Sequence, residues 1–304
     1  MAYHVGLATH KILIPTPLAD NLHPASTPLL ALPDHRVVTM EGPDAVAFAH
    51  AQFANDVTAL AVGQWQWNAW LTPKGRVIAL FALLRREEHA LLAVLPDYPG
   101  DAFAAQLQRF VFRRKLKITG RGDLPVHGSF SAPLHANGSR MGVDNGVLEL
   151  DLGGAGGPRH WRIGESPDTA GEDADQQWRA ADLRHGLPRL PESQREQWTP
   201  QQLSLDRLHA YSIKKGCYPG QEIVARTHFL GKAKRALRLL ESDRPLHAGA
   251  TVEAGGTAQG EVVSAAGASR ALALAVMPLD APTAGLSIAG ADVNTLPLLD
   301  GLAR

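Results

Sequence analysis

Apolar positions along this chain repeat with two periods, and the change from one to the other marks out its parts. Arg36-Val-Val-Thr-Met40 reads as a short strand, and Gly42-Pro43-Asp44 opens a helix with proline in its first turn. Ala45, Phe48, Ala49, Gln52 and Phe53 fall at i, i+3, i+4, i+7 and i+8, one mostly apolar helical face that runs to about Val57. Trp65 to Thr72 and Arg76 to Leu84 flank the turn Pro73-Lys74-Gly75 and predict a hairpin. A further strand, Ala90 to Leu95, precedes a helix from Asp101 to about Phe112 with Phe103, Leu107, Phe110 and Val111 on its inner side. Strand, helix, three strands and helix imply a layered α+β lobe.

From about Leu116 to Arg189 the strands shorten and turns multiply. VHGSF, GVLELDLGG and HWRIGE read as strands of a second α+β lobe, with a loop at Gly153 to Gly157. Thr199-Pro200 then predicts the start of a helix through Tyr211, with Leu205, Leu208 and Tyr211 on one side. After Ala236 helix signals vanish, and brief strands separated by glycine predict a small antiparallel barrel. The expected division is an irregular leader over 1–33, lobes over 34–115 and 116–233, and a barrel over 234–304.

Composition narrows the function classes. A chain of 304 residues has room for several cores. With 45% apolar and 20% charged residues it is neither a disordered nor a collagenous protein. Thirty basic side chains balance thirty acidic ones, so any site for a polyanion must be local. Cys217 is the only cysteine, which excludes an internal disulfide, a Cys-rich zinc site and a cluster held by four thiolates of this chain. A lone thiol fits a reducing compartment. No run approaches the roughly 18 to 20 apolar residues that span a bilayer, and the first 33 residues carry five prolines and no secretion pattern. These features predict a cytoplasmic protein without a membrane partner. The thirteen histidines are scattered without zinc-type spacing, so no metal site is expected, and Gly153 to Gly157 lacks the strand-to-helix context of a nucleotide fingerprint.

The stretch that carries chemistry is Lys214-Lys215-Gly216-Cys217-Tyr218-Pro219-Gly220-Gln221-Glu222-Ile223-Val224-Ala225-Arg226. Gly216 and Gly220 permit a tight turn and Pro219 stiffens it, so the thiol can be displayed. Lys214 and Lys215 would favour the thiolate, the form that attacks electrophiles or binds a soft metal. Residue types alone leave a second reading open, because a free cysteine also serves as a small buried hydrophobe. Seven Lys or Arg residues and one acid, Glu222, lie between Lys214 and Arg238. That segment is either a solvated face or a local site for an acidic tail, an acidic partner or RNA. The basic run Arg113-Arg114-Lys115-Leu116-Lys117 at a helix end is read as structural.

This word resembles the signature of the YgfZ family, folate-binding proteins that support iron–sulfur enzymes and are relatives of the glycine-cleavage T-protein. VVTMEGPDAVAFAHAQFANDVTAL, LTPKGRV, QQWRAADLRHGLPRLP and GKAKRAL extend the resemblance over nearly the whole chain. It implies an α+β, three-domain ring of two lobes and a C-terminal barrel around a channel that receives tetrahydrofolate. Cys217, with Lys214 and Lys215, would then be the reactive group. Trp178 matches a family tryptophan at the folate, and His35 stands where the family has a second one. Asn55 and Asp56 match the family's Asn-Asp step, with helix termination as the alternative reading, and Gln221, Glu222 and Arg226 complete the cofactor candidates.

Two departures bear on activity. The T-protein has an acidic pair after the glycine matching Gly75, where this chain reads Arg76-Val77-Ile78-Ala79. It also clamps the pterin with a glutamate, where this chain has Arg184 beyond Asp182 and Leu183. A cation cannot accept the pterin's donor hydrogen bonds. The expectation is therefore a folate-binding accessory factor for iron–sulfur client enzymes or assembly proteins, including enzymes of tRNA modification. The alternatives are a folate-dependent one-carbon transferase and a tRNA-binding module using the 214–238 segment.

Overall fold

The computed structural model describes residues 29–164, 173–231, 233–267 and 270–304. Of the expected leader, residues 1–28 lie outside the described residues. Its end is a two-residue strand, β1 (Leu30–Ala31), where an irregular segment was predicted. Then follow β2 (Arg36–Glu41), α1 (Ala45–Gln52), β3 (Gln64–Leu71), β4 (Val77–Glu87), β5 (Ala90–Leu95), α2 (Gly100–Gln108) and β6 (Lys117–Gly120). The last five strands of this set form an antiparallel sheet in the order β3-β4-β5-β2-β6.

Both faces of this sheet are covered, which is why β4 reads as a continuous apolar run rather than an alternation. Phe81 and Leu83 pack under α1 and α2 with Phe48, Phe53 and Phe103. Leu80, Ala82 and Leu84 face a larger core shared with the second lobe and the barrel. Trp65 and Trp67 join that larger core and are fully buried.

The second sheet contains β7 (Val126–Ser129), β8 (Gly142–Asp144), β9 (Val147–Asp151) and β10 (His160–Ile163), ordered β1-β7-β10-β9-β8. Leu30 and Ala31 pair with Gly128 and His127, so the leader's end is an edge strand of this lobe. Two further helices follow, α3 (Asp173–Arg184) and α4 (Gln221–Phe229). The chain ends in a closed barrel, β11-β14-β13-β12-β15-β16, from β11 (Arg235–Ser242), β12 (Thr251–Ala254), β13 (Thr257–Ala266), β14 (Ala271–Pro278), β15 (Leu286–Ile288) and β16 (Ala291–Leu296). Strand β14 explains how so small a barrel closes. Ala271, Ala273 and Ala275 point inward with Met277, while Leu272, Leu274 and Val276 seal the outside against the main core.

The predicted helix over 199–211 does not form. Only a 3₁₀ turn, Leu205–Leu208, exists there, because Ser204 (φ 49°) and His209 (φ 54°) on either side of it adopt the left-handed conformation. Helix α1 stops at Gln52, short of Val57, since Phe53 is extended. Helix α2 stops at Gln108, and Phe110, expected on the inner side, is exposed beyond it. No described helix is long and apolar enough to cross a membrane.

Candidate functional site: a cysteine loop beside a three-way cavity

The cysteine loop is held at its C-terminal end by glycine contacts. Gly220 has φ 81° and caps α4, its carbonyl accepting from the Ile223 and Val224 amides at 3.1 and 3.2 Å. It presses on the turn before β4: a Cβ at Gly220 would lie 2.6 Å from both Gly75 Cα and Thr72 O. Gly75 (φ 70°) returns the constraint, for its own Cβ would stand 2.8 Å from Ile223 Cβ. Two stretches picked out separately in the sequence, LTPKGRV and KGCYPGQE, are thus one packed unit.

Within that frame Lys215 and Tyr218 turn inward and Cys217 remains exposed. The Lys215 ammonium donates to the Phe53 carbonyl at 2.6 Å and to that of His50, two groups left open at the end of α1. It also sits 4.8 Å over the Tyr218 ring. Desolvation brings its pKa down to about 8. Tyr218 donates to Ser212 O at 3.1 Å, and burial pushes its hydroxyl up to about 12. Gln221 Nε2 donates to Lys215 O at 3.0 Å, so this residue fixes the loop. The expectation that both lysines serve the thiol is therefore corrected for Lys215, whose charge is engaged with backbone inside the protein. Lys214 is exposed.

Next to the loop lies a cavity of about 820 Å³, within the size range of small-molecule sites. Its wall takes Asn55, Asp56 and Gln66 from the first lobe, Gln201 to Lys214 in part from the connecting segment, Thr227 and His228 from α4, Arg235 and Leu279 from the barrel, and Arg304. Ser212, Ile213 and Lys214 line it just before the thiol-bearing turn. Asn55 is a fastener here. Its Nδ2 donates to Trp67 O (2.9 Å) and to the carbonyl of left-handed His209 (2.6 Å), and its Oδ1 accepts from the Asp56 amide. Asp56 Oδ1 accepts from Thr58 and the Ala59 amide, which holds its carboxyl below the usual range. Helix termination thus accounts for both side chains of the Asn-Asp step, which nevertheless border the cavity. Two other residues of the wall each carry a buried polar atom without a partner, Gln66 Nε2 and Gln201 Oε1.

Trp178 and His35 do not join this group. Trp178 is fully buried on α3, its ring so close to β7 that a Cβ at Gly128 would meet it at 2.6 Å. His35 is 4% exposed and stands edge-on to Trp161, with centroids 5.1 Å apart. Burial, reinforced by Arg189, Arg179 and Arg36, keeps its imidazole neutral well below the ordinary range. Neither lines the cavity. Glu222 and Arg226 are exposed on α4. Asp182, two positions before Arg184, is fully buried between Arg159 (2.6 Å) and Arg189 (2.7 Å).

Sequence reasoning missed Gln66, Gln201, His209 and Arg304 as cavity residues, and met Arg235 only as part of the 214–238 basic segment. Gln66 carried a signal, as a polar residue between two core tryptophans. A second cleft, of about 500 Å³, runs past Arg36, Asp97, Arg179, Arg189 and Arg195 at the junction with the barrel.

The architecture matches a solved structure, the glycine cleavage system aminomethyltransferase T of Bartonella henselae, with a TM-score of 0.70 at 16% identity over 91% of this chain and 86% of that one. The fold is that of the aminomethyltransferases: two α+β lobes and a closed C-terminal barrel. No protein-family model matches the chain. The sequence is 28% identical over 230 residues to the tRNA-modifying protein YgfZ of Klebsiella pneumoniae, covering 69% of this chain and 70% of that protein. A YgfZ of the same description from Sodalis glossinidius is 27% identical over 250 residues, 74% of this chain and 75% of the relative. An uncharacterized protein of Haemophilus influenzae is 29% identical over 213 residues, 68% and 71% respectively. The likeness to YgfZ read from the cysteine loop thus extends well beyond that loop, and it supports a YgfZ-type function.

Proposed function

We propose that this protein is a folate-binding accessory factor for iron–sulfur enzymes, including those that modify tRNA. The observation that carries the reading is the exposed Cys217 on a rigid loop whose preceding residues, Ser212 to Lys214, line the 820 Å³ cavity. The cavity receives tetrahydrofolate, and Cys217 as thiolate either ligates an iron of the client's cluster in place of one of its ligands or attacks a disulfide or persulfide sulfur of the client, releasing the thiolate or hydrosulfide formerly bonded to it. Exposed Lys214, Arg226, Lys234 and Arg235 leave the 214–238 segment available to a polyanion such as tRNA. The name of the YgfZ relatives and the aminomethyltransferase fold support this reading together.

A one-carbon transferase reading finds nothing in its favour after Gly75. Val77, Ile78 and Ala79 are buried apolar residues, and Arg76 is bonded to Gln197 O and Gln202. Calorimetric titration with tetrahydrofolate tests the ligand, and Cys217→Ala tests the thiol. The variant should keep fold and folate affinity yet fail to sustain iron–sulfur enzyme activity in cells lacking the protein. Full rescue by Cys217→Ala removes the cysteine from the mechanism. Trp178→Ala is a poor folate control, because it would open a hole in the core.

A further inference from the structure

The chain between α2 and β6 turns two phenylalanines and a run of cations outward. Phe112 is 87% exposed and Phe110 42%, while Val111 between them is buried in the core of the first lobe. Phe112 also holds a left-handed backbone, φ 46°, which a bulky residue adopts only at a cost in free energy. The turn is fastened from below. The Arg114 amide donates to Val111 O at 2.9 Å and the Lys115 amide to Asp44 Oδ2 at 2.5 Å, and a Cβ on Gly42 would collide with Lys115 O. Arg109, Arg113, Arg114 and Lys115 flank the two rings and are exposed, with the Arg114 guanidinium propped 5.8 Å from the Phe48 ring. No acid stands between Asp101 and Asp123 in the chain. Of the acids that meet the segment from α1 and β2, Asp44 is taken by the Lys115 amide and Glu41 lies opposite Lys117 across the strands. The helix dipole does not account for this basic run. Helix α2 ends at Gln108, so Arg113 to Lys117 lie past its last turn, beyond the reach of the dipole.

We propose that this turn is a binding surface for single-stranded RNA, with Phe110 and Phe112 as stacking faces for unpaired bases and Arg109, Arg113, Arg114 and Lys115 as partners of the phosphates. Positions 110 and 112 are at most about 7 Å apart at Cα, so the two rings and the adjoining cations belong to one patch. A base takes an aromatic face and its phosphate takes a cation, and here each lies within a few residues of the other. A protein partner would require far more apolar area than two rings offer, about 800 Å² on each side. A bilayer would require a free apolar helix face, whereas Phe103 and Leu107 turn that of α2 into the core. The proposal is independent of the cavity and of the folate reading; only the choice of RNA over DNA rests on the function proposed above.

Fluorescence anisotropy with a labelled oligouridine of about 12 nucleotides, on the full chain at low ionic strength, tests this. The wild type should bind it, and should bind an abasic strand of the same length about tenfold more weakly. Phe112→Ala should weaken oligouridine binding about tenfold and leave the abasic strand unaffected. Its unfolding temperature should not fall, because the lost ring stood in water, and Phe112→Trp should bind as the wild type does. Arg113→Ala should weaken both strands alike and reduce the slope of log affinity against log salt by about 0.7. The proposal is overturned if the wild type binds no oligouridine, binds the abasic strand equally well, or keeps its affinity in folded Phe112→Ala. Phosphatidylserine vesicles bound through Phe112 in place of oligouridine would overturn it in favour of a membrane, and a tenfold preference for oligodeoxyuridine would overturn the choice of RNA. Folded tRNA separates this surface from the function proposed above: affinity that ignores Phe112→Ala and drops in Lys214→Ala and Arg226→Ala overturns the surface and leaves the 214–238 segment standing.

Discussion

Among the described residues, the polar cluster buried between α3 and the second sheet and the half-buried one on the wall of the cavity are satisfied differently. In the first, Asp182 binds Arg159 and Arg189 at 2.6 and 2.7 Å, Arg189 also donates to Pro96 O at 2.6 Å, and the Arg159 guanidinium covers Trp178 at 5.1 Å. What is left over there, Arg159 Nη2 and Trp178 Nε1, is sealed in the core. In the second, the leftover atoms Gln66 Nε2 and Gln201 Oε1 are equally inaccessible, on residues that line the cavity. The difference is one of charge: the first cluster closes on a buried carboxylate between two guanidinium groups, and the second rests on neutral amides bonded to backbone.

The contrast can be broken by substitution, and the largest effect belongs to the ionic cluster. Asp182→Ala strands two buried guanidinium groups and should cost about 3–5 kcal/mol of stability in denaturant unfolding; a loss below 1 kcal/mol would mean that the pair is not structural. Gly220→Ala comes next, with about 1–3 kcal/mol expected for its left-handed backbone alone, and the overlap with Gly75 adds to it. Stability at the level of wild type would show that the loop does not need this crossing.

The two regions should also answer pH in opposite senses. Burial raises Asp97, beside Arg189 and Arg195, to about 6. A raised carboxylate contributes stability that is complete below its ordinary value of 3.8 and is lost as pH rises through about 6. Asp97→Asn should flatten the stability profile between these limits. Lys215 is lowered from 10.5 to about 8, so its contribution grows as pH rises from about 8 towards 10.5 and is lost as pH falls. Lys215→Met should remove that upward slope, and an unchanged slope would assign it to another group. The smallest effect is that of Cys217→Ala, within about 0.5 kcal/mol for an exposed side chain; a larger loss would turn the thiol into a packing residue.

Much of this was legible along the chain, for identifiable reasons. The first sheet and its two helices followed from local periodicity, and the barrel from short strands between glycines. Gly216, Pro219 and Gly220 allowed the thiol to be displayed, and the structure decided for exposure over burial. The false helix over 199–211 had good capping residues and good spacing, yet left-handed Ser204 and His209 ended it, and His209 is held there by Asn55, 154 positions away. Trp178 and His35, matched by resemblance, lie in the core, because burial depends on which faces meet.

Residue order by itself determined most of the elements and the turns that need glycine, since these depend on backbone angles and on neighbours a few positions apart. Only the tertiary structure decided that Lys215 would close the end of α1, that Asp182 would be consumed by two arginines, and that Gln66 and Gln201 would share one cavity. Hydrogen-bond partners and solvent access are set by groups that the chain brings together from distant positions, and no local pattern encodes them.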